Sequence, residues 1–142
     1  MAVTAELYAK FFQNALNGNL DDLEGADNLE CMLLDSNHTF DEENEFVEDI
    51  SANEIDDDDY SRQSLTDVAV TQNTNEVNVD ADDINFGDEV TISASYAVIY
   101  QSQTDDTDSP IMFHVDFDGE QESVDGEFTL EVHADGLYDL VT

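Results

Sequence analysis

Basic residues are almost missing from this chain. Lys10 and Arg62 stand against 37 Asp and Glu residues in a length of 142, which gives a formal net charge of −35. Proteins that bind nucleic acid through phosphate contacts need clustered Lys and Arg, so the composition excludes that class. It excludes anionic membrane surfaces for the same reason, and no apolar run approaches the ~18 residues of a transmembrane helix. We expect neither nucleic acid nor a membrane as a partner.

Cysteine, proline and tryptophan are scarce as well. The single cysteine, Cys31, cannot form an intramolecular disulfide, and its apolar neighbours predict a small buried residue. The single proline, Pro110, falls where a strand is predicted to begin. The N-terminus lacks a basic start followed by an apolar stretch, so we predict no signal peptide and synthesis in the cytoplasm.

Despite its charge, the chain has enough apolar residues to fold. Leu, Ile, Val and Phe make up about a quarter of it, above the ~20% below which highly charged chains stay disordered. Repulsion among the carboxylates opposes compaction, and molar salt offsets it by shortening the Debye length to about 3 Å. Because the acid is spread along the whole chain, we predict a protein adapted to concentrated salt. Its length predicts one domain over residues 1–142.

The first periodic segment predicts an α-helix over residues 5–17. Thr4 is the expected N-cap and Gly18 the expected C′ residue. The apolar face is large for a short helix, so either the domain's own sheet or a neighbouring subunit must cover it. The residues that recur at helical spacing on this face are Leu7, Tyr8, Phe11, Phe12, Ala15 and Leu16.

Beyond the helix, apolar residues alternate with period two, which predicts strands. Asp-Gly pairs at 118–119, 125–126 and 135–136 predict turns with left-handed backbone. We therefore predict a mainly β fold: an antiparallel β-sandwich of about seven strands, of jelly-roll or immunoglobulin-like type, with one N-terminal α-helix and its main strand-rich part at 64–142. The predicted strands are residues 29–34, 67–71, 76–80, 91–101, 111–117, 128–133 and 137–141.

Two strand patterns support more detailed predictions. A hairpin that turns at residues 72–75 would place Val70 opposite Val77 and Val68 opposite Val79. Residues 96–100 are apolar on both faces, which is typical of a central strand or an interface.

Acidic segments connect the predicted strands. The longest, residues 35–62, is predicted to be a surface excursion with a short helix or edge strand around 44–50. Asp116 and Glu127 match the outer positions of a helix-loop-helix calcium loop, but Gln121 stands where that loop requires glycine. Loose cation binding is all that we expect of the acidic runs at 56–59, 80–83 and 105–108.

The sequence carries no motif of an enzyme active site. It has no Gly-x-Ser-x-Gly turn and no glycine-rich phosphate loop, and among 37 carboxylates a chance pair is uninformative. His114 and His133 are predicted on the polar faces of adjacent strands, with His114 beside Glu131, and His38 in a loop. Two imidazoles form a metal site only with a further ligand, so we interpret both as solvent-facing. We predict no enzymatic activity, no cofactor and no metal site.

The order of segments along the chain carries a resemblance. The segments are AELYAKFFQNALN (5–17), CMLLDSNHTF (31–40), ISANEI (50–55), VDADDI (79–84), VTISASYAVIY (90–100), SPI (109–111) and GEFTL (126–130). In this order they resemble a family of small structural proteins of tailed viruses, variously labelled head, decoration or tail proteins. The acidic excess departs from members in bacterial viruses and fits a virus of a halophilic archaeon.

This resemblance implies a non-enzymatic virion protein. We predict a capsid decoration or turret subunit bound to the major capsid protein, with a tail or head–tail protein as the alternative. It would be a homo-oligomer that meets its sister subunits or the capsid through apolar surface, unless the helix and the strand at 96–100 cover each other. The predicted interface residues are Leu7, Tyr8, Phe11, Phe12, Leu16, Tyr96 and Tyr100.

Two other function classes stay open. An acidic inhibitor that mimics DNA would share the size and charge, but it needs its carboxylates in a row at duplex spacing. A carbohydrate- or calcium-binding β-sandwich would share the fold class, although the absence of tryptophan removes the usual platform for a sugar ring.

Folding is predicted to require salt, because screening is the only large term that offsets a net charge of −35. Circular dichroism should show a β-rich spectrum at about 3 M KCl that is lost on dilution to about 0.1 M, where the Debye length reaches ~10 Å. A spectrum that does not change across this range would contradict the prediction.

Overall fold

Strands dominate the structure, as the period-two patterns predict. A computed structural model describes residues 2–3, 5–133 and 136–141, which form three β-sheets and one α-helix. The mainly β class with antiparallel sheets and one N-terminal helix is thus confirmed. The elements are β1 (Ala2–Val3), β2 (Glu6–Leu7), α1 (Ala9–Leu16), β3 (Leu29–Leu34), β4 (Gln63–Ser64), β5 (Ala69–Asn73), β6 (Glu76–Asp80), β7 (Ile84–Asn85), β8 (Val90–Gln101), β9 (Ile111–Gly126), β10 (Thr129–Val132) and β11 (Tyr138–Val141), with 3-10 turns at Val47–Asp49 and Ser51–Asn53.

The largest sheet has five strands in the order β2-β9-β8-β3-β4, and each neighbouring pair is antiparallel. Its middle strand, β8, buries Ala97, Val98 and Ile99 completely. The prediction of a central strand at 96–100 is therefore confirmed, as is the burial of Cys31 on β3. Ile111 opens β9 directly after Pro110, so the predicted strand start is also confirmed.

Alternate side chains of β9 show what covers each face of this sheet. Phe113 packs against Phe11 of α1 and Tyr138 of β11, with ring centres 5.6 and 5.5 Å away. The next side chain, His114, points to the opposite face and packs 4.7 Å from Phe40, in the segment between β3 and β4. The sheet is the middle layer, which explains why its strands are apolar on both faces.

Two three-stranded sheets complete the fold. One has the order β11-β6-β5 and is antiparallel throughout. The other has the order β1-β10-β7, in which β1 pairs parallel with β10 and β10 pairs antiparallel with β7. Leu137 links the N-terminal segment to the first of these sheets, because its carbonyl accepts from Ala5 and its amide donates to Val79.

The β5–β6 hairpin exists, but its predicted register is wrong. Val70 pairs with Val79 and not with Val77, and Asn73 pairs with Glu76. Only two residues remain for the turn, with Thr74 at a φ of +57°. The two registers differ by two residues, so both place the same side chains on the same face, and the hydrophobic pattern cannot distinguish them.

The turn predicted at Asp118-Gly119 does not end the strand. Both residues have positive φ, as predicted, but they lie in a bulge within β9. Residues 117–120 stand opposite the single residue Ser95, after which β9 resumes its pairing with β8 as far as Gly126. As a result β10 pairs with β7 and β1 instead of β9, and the predicted contact between His114 and Glu131 is not formed. In the third predicted Asp-Gly turn, at 135–136, Asp135 lies outside the described residues.

Helix α1 begins four residues later than predicted. Residues Glu6–Leu7 pair with β9, and the amide of Tyr8 donates to the carbonyl of Met112. This pairing holds the chain extended as far as Tyr8, which becomes the N-cap. The predicted cap Thr4 lies outside the described residues. Gly18 follows the helix at a φ of +72°, so the predicted end is confirmed.

The acidic segment 35–62 is more than a surface excursion. Val47, Ile50 and Ile55 are buried, and backbone hydrogen bonds tie the segment to the sheet through Leu33 and Ser109. The two 3-10 turns occur at the predicted site of a short helix. The apolar residues scattered through the predicted excursion anchor it, because they are spaced to cover one face of the large sheet.

Arg62 fixes the end of this segment. Its guanidinium donates to both carboxylate oxygens of Glu54 at 2.8 Å and to both of Asp106 at 2.8 and 3.1 Å. It also donates to the Tyr100 hydroxyl at 3.2 Å, and the Tyr60 hydroxyl donates to Glu54 at 2.6 Å. The Arg62 guanidinium therefore joins segment 35–62, which we call the covering segment, to β8 and to the loop that follows β8.

We expect Arg62→Met to lower the free energy of unfolding by about 2–3 kcal/mol, because it leaves two carboxylates and a phenol without their donor. Lys10→Met is the matched control: it removes the same charge from a side chain whose hydrogen bond to Gln13 lies at the surface, so its effect should stay within about 0.5 kcal/mol. Urea denaturation in molar KCl measures both. Equal effects of the two substitutions would contradict this role of Arg62.

Candidate functional site

The predicted interface residues do not share one environment. Tyr8, Phe11 and Tyr100 are buried within the chain, so for these three residues the predicted interface role is wrong. They belong to this protein's own core, where Phe11 packs on Phe113. Leu7 and Tyr96 are partly buried.

Only Phe12 and Leu16, among the seven, are well exposed, at 43% and 73%. They are one helical turn apart and thus lie on the same side of α1. We call these two residues the α1 ridge. The stretch 7–20 around the ridge contains no Asp or Glu. A shallow depression beside Phe12 is lined by Leu7, Ala9 and Tyr138 together with Glu6 and Glu42.

A second site lies under the acidic segment, on the face opposite Phe113. His114 is 2% exposed and His38 is 5% exposed, with ring centres 5.2 Å apart. Phe40, Tyr96 and Tyr8 surround His114 at 4.7, 5.3 and 6.1 Å. We call these five residues the histidine box. The prediction of a solvent-facing His114 is therefore wrong, because the segment after β3 folds back over it.

Sequence reasoning missed the pairing of the two histidines. His38 lies in an irregular segment, and His114 is in the middle of β9, so no local pattern links them. The residue predicted as the partner, His133, follows β10 at the other sheet. The one available signal is the apolar run of β9, in which a histidine between Phe113 and Val115 occupies a position buried on both sides.

Burial keeps both imidazoles neutral. It lowers the pKa of His114 to about 4, an effect that neighbouring His38 reinforces and Asp116 opposes. Burial also lowers the pKa of His38, against the pull of Asp35. Burial raises the pKa of the Tyr8 hydroxyl, with smaller contributions from Asp41 and Glu6.

The acidic runs act as hydrogen-bond acceptors for the backbone. Asp57 and Asp59 accept from the amides of Ser93 and Thr91, at 3.0 and 2.9 Å. In the run at 105–108, Asp105 accepts from the amide of Thr107 within its own turn. The Asp116–Glu127 pattern lies mainly within β9 and forms no helix-loop-helix site. Across the described part of the chain, no three His, Cys, Asp or Glu side chains are placed to hold a metal ion together.

Comparison with known proteins adds no relative to these observations. No protein-family model, curated protein or solved structure matches the chain. No helix in the described ranges is long and apolar enough to cross a membrane.

The buried His114 predicts a specific loss of stability in mild acid. Its pKa in the folded state, about 4, is below the ~6.5 of an unfolded chain, so unfolding takes up a proton between these values. Stability must then fall as the pH drops from 7 to 5, by about 1–2 kcal/mol for this group.

His114→Phe should remove that part of the slope, while His133→Phe, the control, should retain it. Urea denaturation of chelator-treated protein in molar KCl at pH 7 and pH 5 measures the slopes. The assignment to His114 would be refuted by parallel losses in wild type and His114→Phe.

Proposed function

We propose that this protein is a non-enzymatic structural subunit of the virion of a tailed virus with a halophilic archaeal host, and that it decorates the capsid by binding the major capsid protein. The ordered segments that resemble the tailed-virus family support the virion assignment. The α1 ridge is the observation that supports attachment to another protein.

Electrostatics favour the α1 ridge as the docking surface. Two strongly acidic proteins repel each other wherever their carboxylates meet, and this chain has only two cations for ion pairs. The ridge combines exposed Phe12 and Leu16 with a stretch of chain, 7–20, that contains no Asp or Glu. Burial of each apolar side chain contributes roughly 1.5–3 kcal/mol, and carboxylates at the rim stay in solvent. Binding of this kind strengthens with salt.

The α1 ridge is also the contact surface for self-association and for attachment at the tail or head–tail region. Two copies that meet through their α1 ridges avoid direct contact between their acidic surfaces, so a homo-oligomer on the capsid is part of the proposal. A tail or head–tail location would use the ridge in the same way, with a different partner, and the choice between them is made by binding to separated capsids and tails.

Substitution of the ridge should abolish attachment. We expect Phe12→Asp and Leu16→Asp each to weaken binding to purified capsids at least tenfold, which corresponds to about 1.4 kcal/mol, because each places a new charge at the contact. Val124→Asp is the matched control, since Val124 is 67% exposed on β9 and the substitution adds the same charge. Co-sedimentation with capsids and with isolated tails in molar KCl measures binding, and circular dichroism checks that each variant is folded.

Three results would each contradict a part of the proposal. If wild-type protein binds neither capsids nor tails, the virion assignment fails. If both ridge variants bind as wild type does, the assignment can stand, but the α1 ridge is not the docking surface. Binding to tails alone would replace the decoration role by the tail alternative.

A further inference from the structure

The histidine box contains buried polar atoms that make no hydrogen bond to any described residue. They are the hydroxyl of Tyr8, Nε2 of His38, and both ring nitrogens of His114. More than nine in ten buried polar atoms in proteins have a partner, and each one without a partner costs about 1–3 kcal/mol. One such atom on each of three neighbouring side chains indicates a shared partner that the chain itself does not supply, since a single partner can meet only one of the two ring nitrogens of His114.

The chemistry of these atoms selects the kind of partner. Neutral imidazole nitrogens are lone-pair donors that suit divalent transition metals, whereas calcium and magnesium prefer sites made only of oxygen. Two imidazoles on one tetrahedral ion, with metal–nitrogen bonds of about 2.0–2.1 Å, have ring centres roughly 5 Å apart. The ring centres of His38 and His114 are 5.2 Å apart.

We propose that His38 and His114, together with the Tyr8 hydroxyl, bind one divalent transition-metal ion of the zinc or cobalt type. The three side chains come from the covering segment, from β9 and from the N-cap of α1. A bound ion would therefore clip the covering segment and the start of α1 to the large sheet. This inference is independent of the proposed virion role.

The surroundings favour a cation at this place. The carboxylates that act electrostatically on the three ligands are Glu6 and Asp41 on Tyr8, Asp35 on His38, and Asp116 on His114. They offset the charge of a divalent ion. Coordination of the Tyr8 oxygen as a phenolate would release the hydroxyl proton to solvent.

Cobalt distinguishes this site from the many surface carboxylates. We expect one equivalent of Co²⁺, added in molar sodium sulfate at pH 7, to give the intense visible bands of a four-coordinate ion with nitrogen ligands. Surface carboxylates hold Co²⁺ in six-coordinate form, which absorbs only weakly. His38→Phe and His114→Phe keep the aromatic packing and should lose the intense bands, Tyr8→Phe should weaken them, and His133→Phe should retain them.

A second measurement uses only the wild-type protein, so it does not depend on the folding of variants. The chain has three histidines, and their ring resonances can be followed by NMR during a Zn²⁺ titration. We expect one equivalent of Zn²⁺ to shift the resonances of His38 and His114 but not those of His133, and an excess of Mg²⁺ to shift none of the three. The proposal is overturned if Co²⁺ gives only weak bands with wild type, or if Zn²⁺ leaves His38 and His114 unchanged.

Discussion

Repulsion among 37 carboxylates is the constraint under which every part of this structure is built. The fold reduces this repulsion by keeping most carboxylates away from the core of the large sheet. Strand β8 is free of acidic residues and lies in the middle of the large sheet, while most acidic residues are on loops, on edge strands and on the outer half of β9. Where carboxylates do approach the sheet, as Asp57 and Asp59 do, they accept hydrogen bonds from backbone amides, which makes their position favourable.

The same repulsion among carboxylates opposes the packing of segment 35–62 on the large sheet. This segment is among the most acidic parts of the chain, yet it must cover one face of the large sheet with a few apolar side chains. Arg62 makes this arrangement possible at one end, because it is shared by Glu54 of the segment and Asp106 of the loop after β8. At its other end the segment packs His38 against His114, so this end buries imidazole rings instead of apolar side chains.

The histidine box and the α1 ridge are neighbours in the chain. Tyr8 belongs to the box and is also the N-cap of α1, whose exposed side carries Phe12 and Leu16. Tyr8 therefore links the histidine box to the start of the ridge helix. An ion held by the box would fix the orientation of the docking surface that we propose, without being part of that surface.

The local sequence pattern was sufficient to predict the mainly β fold class and several details of the structure. Hydrophobic periodicity is a property of neighbouring residues, so the sequence alone predicted the β-rich fold, the central strand at 96–100, the buried Cys31 and the end of the helix at Gly18. The prediction that folding depends on salt comes from composition alone, since it uses the net charge and no feature of the fold.

Only the tertiary structure decided which distant segments meet. The pairing of Glu6 and Leu7 with β9 set the start of α1, and the bulge at 117–120 removed the predicted turn in β9. The register of the β5–β6 hairpin was open because a shift of two residues keeps every side chain on its face. The meeting of His38 with His114 and of Arg62 with Asp106 joins positions far apart in sequence, and no local signal encodes such contacts, because the packing of the whole chain brings them together.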